Sequence, residues 1–488
     1  MSFQQYSMSK SSFLKFEQCE KAFFLHKNHP YLKDKISVDK QLTFNRGHAI
    51  GGLAQDLFPD GIDISKSTKN LNEAVILTKE LMSKKSKTLY EATFIFDKVL
   101  IMVDILKLEN GFYNAFEVKS SLKVTETYLK DACLQYYILK NCLENFEDLF
   151  LVTMNGDYVL EEKIEPKKLF KKRSIKKEAE KNFNFFSEKI KSAELILEKN
   201  IIPDIAIGKH CFRPYTCDFF GTCWKDELKE DSIFNLPLLS KDTLFEWHAS
   251  GKKTIKAIEK EPPENKKTES IKNSFLSQKP LVIYDEIQKI LSKVAFPVAA
   301  LDMEIWSPAI PVIKGTRPFQ QIPFLFCLSN NESKSECFVE HQSDDRKVFS
   351  QALIKETKKY NSILVFDKTM EEQCINSLII LFDDMADELI FLKNKLVDLS
   401  EIFKNFYYYH PAFKNNFSLK VISQALNLGI TFGKIKSGLE AMNYYDQMRI
   451  SVNEIEKEDL KNELSTYCYN DTGATYQLYD FLKALEER

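Results

Sequence analysis

The chain has 488 residues, which is too long for one ordinary hydrophobic core and predicts two or three domains. Charged residues make up 28% of the chain, but the formal net charge is only -2, which excludes a uniformly basic nucleic-acid binder and still allows a local basic groove. No apolar run approaches the roughly 18 residues that a membrane span needs, and the polar start lacks the apolar core of a signal peptide. We therefore expect a soluble, cytoplasmic protein with no membrane partner.

Three regions follow one another along the chain. Residues 1–228 contain a helical start, a strand cluster and further helices, and they end in a cysteine-rich segment. Residues 229–295 are rich in lysine and glutamate, which predicts a helical linker. Residues 296–488 begin with an apolar strand and end in helices. Strands and helices occur in both outer regions, so the predicted fold class is α/β (α+β).

The segment 89–119 is predicted to form three strands joined by two tight turns. Asn110-Gly111 is the strongest short signal for a β-hairpin, and Asp97-Lys98 is a weaker turn candidate. In a two-residue hairpin, residues at equal distances from the turn face each other. The two turns therefore fix which residues of the three strands are neighbours.

This register predicts that three acids face one another. Asp104 and Glu117 are both six residues from the Asn110-Gly111 turn, and Glu91 and Asp104 are both six residues from the earlier turn. Neighbours across such a ladder have Cβ atoms about 5 Å apart. Adjacent carboxylates repel each other, and bound Mg²⁺ or Mn²⁺ would remove that conflict because hard cations prefer oxygen ligands. An exposed polar sheet face with coincidental register is the alternative.

Lys119 is two residues after Glu117 on the same strand face and is the only cation predicted in this group. Such a lysine can orient or deprotonate an attacking water, or stabilise a pentavalent phosphate. Both roles belong to metal-dependent hydrolysis of phosphodiesters.

Asp104 followed by Glu117-Val118-Lys119 resembles the signature of the PD-(D/E)xK nucleases, specifically their RecB-like branch. The resemblance implies a restriction-endonuclease-like core with these acids as metal ligands and Lys119 as a catalytic residue. Glu91 is expected beside the same metal.

Two further residues resemble motifs of that branch. An upstream histidine commonly joins its metal site, and His48 in the run Arg-Gly-His is the candidate here. A glutamine commonly lies on the helix after the lysine, and Gln135 is the candidate supporting residue. The family usually has a tyrosine four residues after this glutamine, where this chain has Leu139.

Cys211, Cys217 and Cys223 lie within one short segment, and clustered cysteines in a cytosolic chain indicate a metal. A closed site needs a fourth ligand, for which Cys19 is the candidate. One early cysteine and three after the nuclease motifs resemble the iron–sulfur subgroup of RecB-like nucleases, which includes the CRISPR-associated adaptation nucleases and the AddB-type repair subunits. The resemblance implies a 4Fe-4S cluster that joins the two ends of the domain. Zn²⁺, with His210 as an additional donor, is the alternative.

A second acidic group is predicted in the C-terminal region. Asp302 and Glu304 follow the start of an apolar strand and share one of its faces. Tyr467 and Asp471 are four residues apart in a helical pattern and therefore share one helical face. Between these pairs, Glu371 follows a second apolar strand.

The order of these fragments resembles the tyrosine variant of the DEDD exonucleases, in the DnaQ-like, ribonuclease-H-like superfamily. The resemblance implies that Asp302, Glu304 and Asp471 bind metal and that Tyr467 orients water. The middle motif departs from the family pattern, because Asp367 replaces the usual asparagine and Glu371 the usual aspartate. Glu371 is then the remaining metal ligand, with Asp398 as the alternative.

The tandem resembles bacterial proteins that fuse a RecB-like iron–sulfur nuclease to a DnaQ-like C-terminal domain. It implies a metal-dependent DNA nuclease, acting as an exonuclease on single-stranded or end-containing DNA in repair or antiviral defence, with RNA as the alternative substrate. Two functions of another class remain open. One is a nucleic-acid-binding scaffold that has lost catalysis, and the other is a redox sensor that uses the cluster to control binding.

Overall fold

The computed structural model describes residues 6–485. The chain divides into two compact units, the first containing the residues up to Asp226 with Ala309–Pro311, and the second containing the remainder from Glu227. Each unit has a mixed sheet flanked by helices, so the predicted α/β fold class is confirmed. Within the described range, every helix is too short or too polar to span a bilayer.

The first unit is built around a seven-stranded sheet. Six strands follow the order β2-β3-β4-β5-β6-β7, and β1 pairs in parallel with the start of β4. The elements of this unit are β1 (Met8–Ser9), α1 (Lys10–Gln18), α2 (Glu20–Asn28), α3 (Val38–Ala54), β2 (Ile62–Asp63), α4 (Ile64–Ser67), α5 (Leu71–Ser83), β3 (Thr88–Phe96), β4 (Val99–Glu109), β5 (Phe112–Lys119), α6 (Glu126–Cys142), β6 (Phe146–Met154), α7 (Pro166–Leu169), β7 (Phe170–Ser174), α8 (Lys176–Lys181), α9 (Phe183–Lys199) and α10 (Phe220–Cys223).

The predicted meander is formed by β3, β4 and β5 in the predicted register. Tyr90 pairs with Ile105, and Ile105 pairs with Phe116, as equal spacing from the two turns requires. Both turns have the left-handed backbone that matches the twist of the flanking strands. Their φ angles are 46° at Asp97, 57° at Lys98, 51° at Asn110 and 85° at Gly111.

Helix α1 is fixed at its start and along its length. The side chain of Ser9 accepts the N–H of Ser12, and the side chain of Ser12 accepts the N–H of Ser9, so a reciprocal capping box begins the helix. Phe13 and Phe16 bury their rings in the core of the first unit. These contacts set the direction of Lys10, the first residue of the helix.

The second unit contains a five-stranded sheet in the order β11-β10-β9-β12-β13 and a separate two-stranded ladder of β14 and β8. β10 is antiparallel to β9 and β11, whereas β12 is parallel to β9 and β13. The elements of this unit are α11 (Lys241–Ala249), α12 (Lys266–Ser277), β8 (Leu281–Val282), α13 (Tyr284–Leu291), β9 (Val298–Trp306), β10 (Ile322–Ser329), β11 (Lys334–Phe338), α14 (Arg346–Thr357), β12 (Ser362–Val365), α15 (Thr369–Leu381), α16 (Ala386–Asn394), β13 (Leu396–Asp398), α17 (Ser400–Lys404), β14 (Tyr408–Tyr409), α18 (Leu419–Ala425), α19 (Gly438–Ile450) and α20 (Glu454–Ala484).

Residues 229–295, which the sequence predicts as a linker, pack within the second unit. Ile287, Ile290 and Leu291 of α13 lie in the same hydrophobic core as Leu478 of α20. Their spacing gives this short helix a continuous apolar face under a charged surface. The lysine and glutamate residues of this segment therefore form the outer surface of its helices. The boundary between the two units lies at Asp226.

Candidate functional site

The first candidate site lies where β4 and β5 diverge. Their ladder ends at the pair Ile105 and Phe116, so Asp104 and Glu117 are the next residues beyond it. Asp104 Oδ2 accepts a hydrogen bond from the backbone N–H of Val118 at 2.6 Å. The predicted neighbours Asp104 and Glu117 thus lie just beyond the backbone ladder, where a hydrogen bond to the Asp104 side chain joins the two strands.

Two lysines bind the acids of this site. Glu117 Oε1 accepts hydrogen bonds from Lys10 Nζ and Lys119 Nζ, both at 2.7 Å. Asp131, on α6, accepts a hydrogen bond from Lys119 at 2.5 Å, and its other oxygen lies 3.4 Å from Lys10 Nζ. Glu117 and Asp131 are only 2% and 4% exposed. The prediction that Lys119 is the only cation of this group is therefore wrong, because Lys10 contacts the same two acids. We call Asp104, Glu117, Asp131, Lys10 and Lys119 the N-terminal carboxylate site.

The charges of this site divide its acids into two kinds. Burial alone would raise the pKa of Glu117, but Lys10 and Lys119 hold that pKa well below its usual range. Burial and the charge of Glu117 raise the pKa of Asp104 to about 8. Burial would lower the pKa of Lys119, but Glu117 and Asp131 raise it, so Lys119 stays protonated. Of the roles that the sequence leaves open for Lys119, this state favours stabilisation of a phosphate over removal of a proton from water.

Glu91 lies directly across from Asp104 but interrupts the ladder. Its φ is 56°, and regular pairing of β3 with β4 resumes on either side, at Tyr90 and Ala92. Burial and the charge of Glu117 raise the pKa of Glu91 to about 7. Glu91 therefore belongs to the electrostatic surroundings of this site.

The two other predicted residues behave differently. His48 lies exposed on α3, which packs against β5, and within residues 6–485 its ring forms no hydrogen bond or ion pair with the acids of this site. Gln135 is fully buried on α6, one helical turn after Asp131, and neither of its amide atoms has a hydrogen-bond partner within the described chain. The structure therefore places Gln135 one helical turn from Asp131, whereas the role predicted for His48 as a metal ligand stays a prediction.

The four predicted cysteine ligands surround one small cavity. Cys19, Cys211, Cys217 and Cys223 all line it, together with His210. None of the four forms a disulfide. Burial raises the pKa of Cys19, Cys217 and Cys223, so these thiols are protonated without a bound cation. We call this group the four-cysteine site. Four converging sulfurs suit a soft metal or an iron–sulfur cluster.

The second candidate site combines one strand and two helices. Asp302 and Glu304 extend from β9, Glu371 lies in the first turn of α15, and Tyr467 and Asp471 lie on α20. The structure thus brings together all five residues that the sequence predicts, and we call them the C-terminal carboxylate site. Electrostatic coupling links each of the other acids to Asp302.

Cys468 joins this site, although the sequence did not identify it. One ligand atom each of Asp302, Glu304 and Cys468 lies within 4.8 Å of the others, a spacing that could hold a metal ion. The Cys468 thiol is fully buried and donates to the backbone carbonyl of Asp302 at 3.5 Å. Cys468 follows Tyr467 directly on α20, so its position within the tyrosine motif was the signal that could have identified it.

Little positive charge opposes these acids. Within the described part of the chain, three buried oxygens have no hydrogen-bond partner: Asp302 Oδ2, Glu371 Oε2 and Asp471 Oδ1. Burial raises the pKa of Asp302 to about 6. Burial and the charge of Asp302 raise the pKa of Glu371 to about 8 and that of Asp471 to about 7. The pKa of Glu304 is also raised well above its usual value by burial and by Asp302.

Lys420, on α18, is a cation near this site that the sequence did not identify. Its Nζ lies 4.9 Å from the ring centroid of Tyr467 and donates to the backbone carbonyl of Lys436 at 2.9 Å. Its charge opposes the effect of burial on the pKa values of Asp302 and Asp471. No sequence spacing relates Lys420 to those acids.

Asp367 of the middle motif and Asp398, the alternative ligand, have separate structural roles. Asp398 Oδ1 accepts the backbone N–H groups of Asp367 and Ser400 at 3.0 and 2.8 Å, so this carboxylate shapes the turn after β12. Asp367 pairs with Lys404 at 2.9 Å. Glu371 is therefore a better placed ligand than Asp398, the alternative that the sequence allows.

Comparison with known families gives one match. Residues 299–418 match the family model described as "Domain of unknown function (DUF2779)". The matched segment contains Asp302, Glu304 and Glu371 and ends before Tyr467 and Asp471. A search of the curated proteins found no match.

Proposed function

We propose that this chain is a metal-dependent nuclease that hydrolyses phosphodiester bonds of DNA at two separate carboxylate sites. One observation carries the proposal: the acids of the C-terminal carboxylate site leave three buried oxygens without hydrogen-bond partners among the described residues. Burial and the neighbouring acids keep Glu304 and Glu371 largely protonated near neutral pH, because ionised buried carboxylates without a counterion are strongly unfavourable. Mg²⁺ or Mn²⁺ would satisfy these oxygens, because hard cations take several carboxylate ligands.

In the C-terminal carboxylate site, Asp302, Glu304, Glu371 and Asp471 would hold the metal ions. When bound, such ions lower the pKa of water and polarise the phosphoryl group. Burial and the neighbouring acids raise the pKa of Tyr467, so its hydroxyl keeps its proton and can donate a hydrogen bond to water or to a phosphate oxygen. The resemblance to the DEDD exonucleases supports these roles.

In the N-terminal carboxylate site, Asp104 and Glu117 would bind the metal, and Lys119 would stabilise the negative charge that develops on the phosphate. The protonated state of Lys119 supports this role. The buried oxygen Glu117 Oε2 has no hydrogen-bond partner within the described residues, which makes it available to a cation. Glu91 lies near enough to add a further carboxylate.

The four-cysteine site would hold a 4Fe-4S cluster, with Zn²⁺ as the alternative. The support is the convergence of four free thiols on one cavity. These thiols come from the start of α2 and from residues 211–223. A bound cluster would therefore join two distant parts of the first unit and contribute to its stability.

The test is cleavage of end-labelled single-stranded DNA, with labelled RNA in parallel, in Mg²⁺ or Mn²⁺. If both sites act, Lys119→Ala and Asp471→Asn each keep part of the activity and the double variant keeps none. Lys123→Ala, on an exposed residue just after β5, and Asp480→Asn, on the exposed side of α20, are matched controls that should keep full activity. Full activity in the double variant would exclude both sites as the catalyst.

A further inference from the structure

We propose that Lys10 is a positioning residue of the N-terminal carboxylate site, and that the four-cysteine site controls its position through helix α1. The part that concerns catalysis rests on the nuclease function proposed above. The part that concerns the helix is independent of activity.

Lys10 and Lys119 both hold the same oxygen of Glu117. Both Nζ atoms donate to Oε1 at 2.7 Å, while Oε2 is buried and has no hydrogen-bond partner within the described residues. Two donors on one oxygen fix the rotation of a carboxylate more tightly than one donor does. The pair thereby keeps Oε2 directed away from the lysines and available as a ligand. Lys10 acts on the reaction through Glu117, which makes it a positioning residue.

The start of α1 places Lys10 at this carboxylate. Met8 and Ser9 pair with Val99 and Leu100 at the start of β4. This short ladder and the Ser9 capping box bring the first residue of the helix to the point where β4 and β5 diverge. Lys10 is 107 residues from Glu117 along the chain, so their contact depends on tertiary structure alone.

The end of α1 is held by the segment that carries three of the four cysteines. Gln18 Nε2 donates to the backbone carbonyls of His210 and Tyr215 at 2.7 and 2.8 Å. Lys15 forms an ion pair with Asp218, which adjoins Cys217. The helix ends at Cys19, which is itself one of the four thiols.

These two sets of contacts lie at opposite ends of one short helix. Its nine residues span about 14 Å at 1.5 Å each. A helix of this length tilts as a rigid rod about the β1–β4 ladder at its start, so a displacement at Cys19 changes the direction in which Lys10 reaches Glu117. Assembly of the four-cysteine site therefore keeps Lys10 on Glu117, and loss of that site releases it.

The kinetic test uses the Asp471→Asn chain, in which the remaining cleavage comes from the N-terminal carboxylate site. Lys10→Met should lower kcat by on the order of 10²-fold with little change in KM for DNA, because the substitution misplaces the Glu117 carboxylate and removes no contact with DNA. Lys10→Arg should restore a large part of kcat, since a guanidinium can also donate to Glu117. Lys27→Met, on an exposed lysine of α2, is the control and should leave kcat unchanged. An unchanged kcat in Lys10→Met, or an equal loss in Lys27→Met, would overturn the assignment.

The structural test measures how fast an amine-reactive acylating reagent labels each lysine of the full-length chain, by mass spectrometry. The Lys10 side chain is only 23% exposed and should react slowly. Cys19→Ser should accelerate labelling of Lys10 several-fold and leave Lys27 unchanged. Cys142→Ser, at a partly buried cysteine at the end of α6 and outside the four-cysteine site, should change neither rate. Gln18→Ala removes the two carbonyl contacts without altering a thiol and should act in the same direction as Cys19→Ser. Unchanged labelling of Lys10 in both Cys19→Ser and Gln18→Ala would refute the coupling through α1, even if the chain is a nuclease. Inactivity of the Asp471→Asn chain would instead count against the proposed function of the N-terminal carboxylate site.

Discussion

Glu371→Gln should stabilise the metal-free protein at alkaline pH, although it alters a proposed metal ligand. Burial and the charge of Asp302 raise the pKa of Glu371 from its ordinary 4.5 to about 8. A carboxyl with a raised pKa binds its proton more tightly in the folded state than in the unfolded state. Its contribution to stability is therefore complete below about pH 4.5 and is lost as the pH rises through about 8. Glutamine has no proton to lose, so the variant keeps its stability over this range.

The structure sets the size of the effect. The difference between 4.5 and about 8 corresponds to about 5 kcal/mol in the free energy of unfolding, at about 1.4 kcal/mol per pH unit. Glu371 is 6% exposed, so solvent screening reduces this value little. Asp302 and Asp471 take up part of the shared charge, and we expect a gain of about 2–5 kcal/mol for the variant near pH 9. Near pH 5 the two proteins should differ by less than about 1 kcal/mol.

The measurement is urea unfolding of the metal-free chain at both pH values, followed by tryptophan fluorescence. Trp306 is buried in the second unit, and replacing Trp224 by phenylalanine in every variant compared removes the signal of the first unit. Glu372→Gln, on the next residue of α15, is the matched control, because Glu372 is partly exposed and pairs with Lys368. Mn²⁺ should reverse the order, since it stabilises the wild-type site in proportion to its affinity. Equal stability of wild type and Glu371→Gln near pH 9 would refute the conclusion that burial and the charge of Asp302 raise the pKa of Glu371.

Two other results follow from the site structure. Purified anaerobically, the chain should be brown and hold about four irons at the four-cysteine site. Cys211→Ser should lower both the iron content and the thermal midpoint of the first unit. Stoichiometric zinc without iron would identify the alternative metal. Tyr467→Phe in the Lys119→Ala background should slow cleavage by on the order of tenfold without weakening Mn²⁺ binding, because it removes one donated hydrogen bond and no metal ligand. Unchanged cleavage would show that the Tyr467 hydroxyl takes no part in the reaction.

Sequence patterns could predict those site residues that are related by local geometry, such as hairpin register or helical spacing. The two turns fixed the neighbours of Asp104, because the register of a two-residue hairpin leaves no freedom. The face shared by Tyr467 and Asp471 followed in the same way from helical spacing. Glu371 was identified by its position after an apolar strand, and the first turn of α15 brings it to Asp302.

Contacts that depend on tertiary packing could not be predicted in this way. Lys10 and Asp131 reach Glu117 from α1 and α6, and no periodic pattern relates the three residues. Asp131 did carry one usable signal, since it lies one helical turn before Gln135, a predicted site residue. The resemblance that indicates His48 covers only three residues and carries no information on how α3 packs, so the exposure of this ring could not be predicted.

The acids of the C-terminal carboxylate site are far apart in the order of synthesis. A ribosome releases β9 with Asp302 and Glu304 first, then α15 with Glu371, and α20 with Asp471 last. A chain whose synthesis has passed only β9 and α15 therefore lacks one proposed metal ligand and the tyrosine, both of which arrive when α20 packs against β9 and β10. A partly folded second unit cannot supply the complete ligand set, so metal binding at this site would depend on completed folding of that unit.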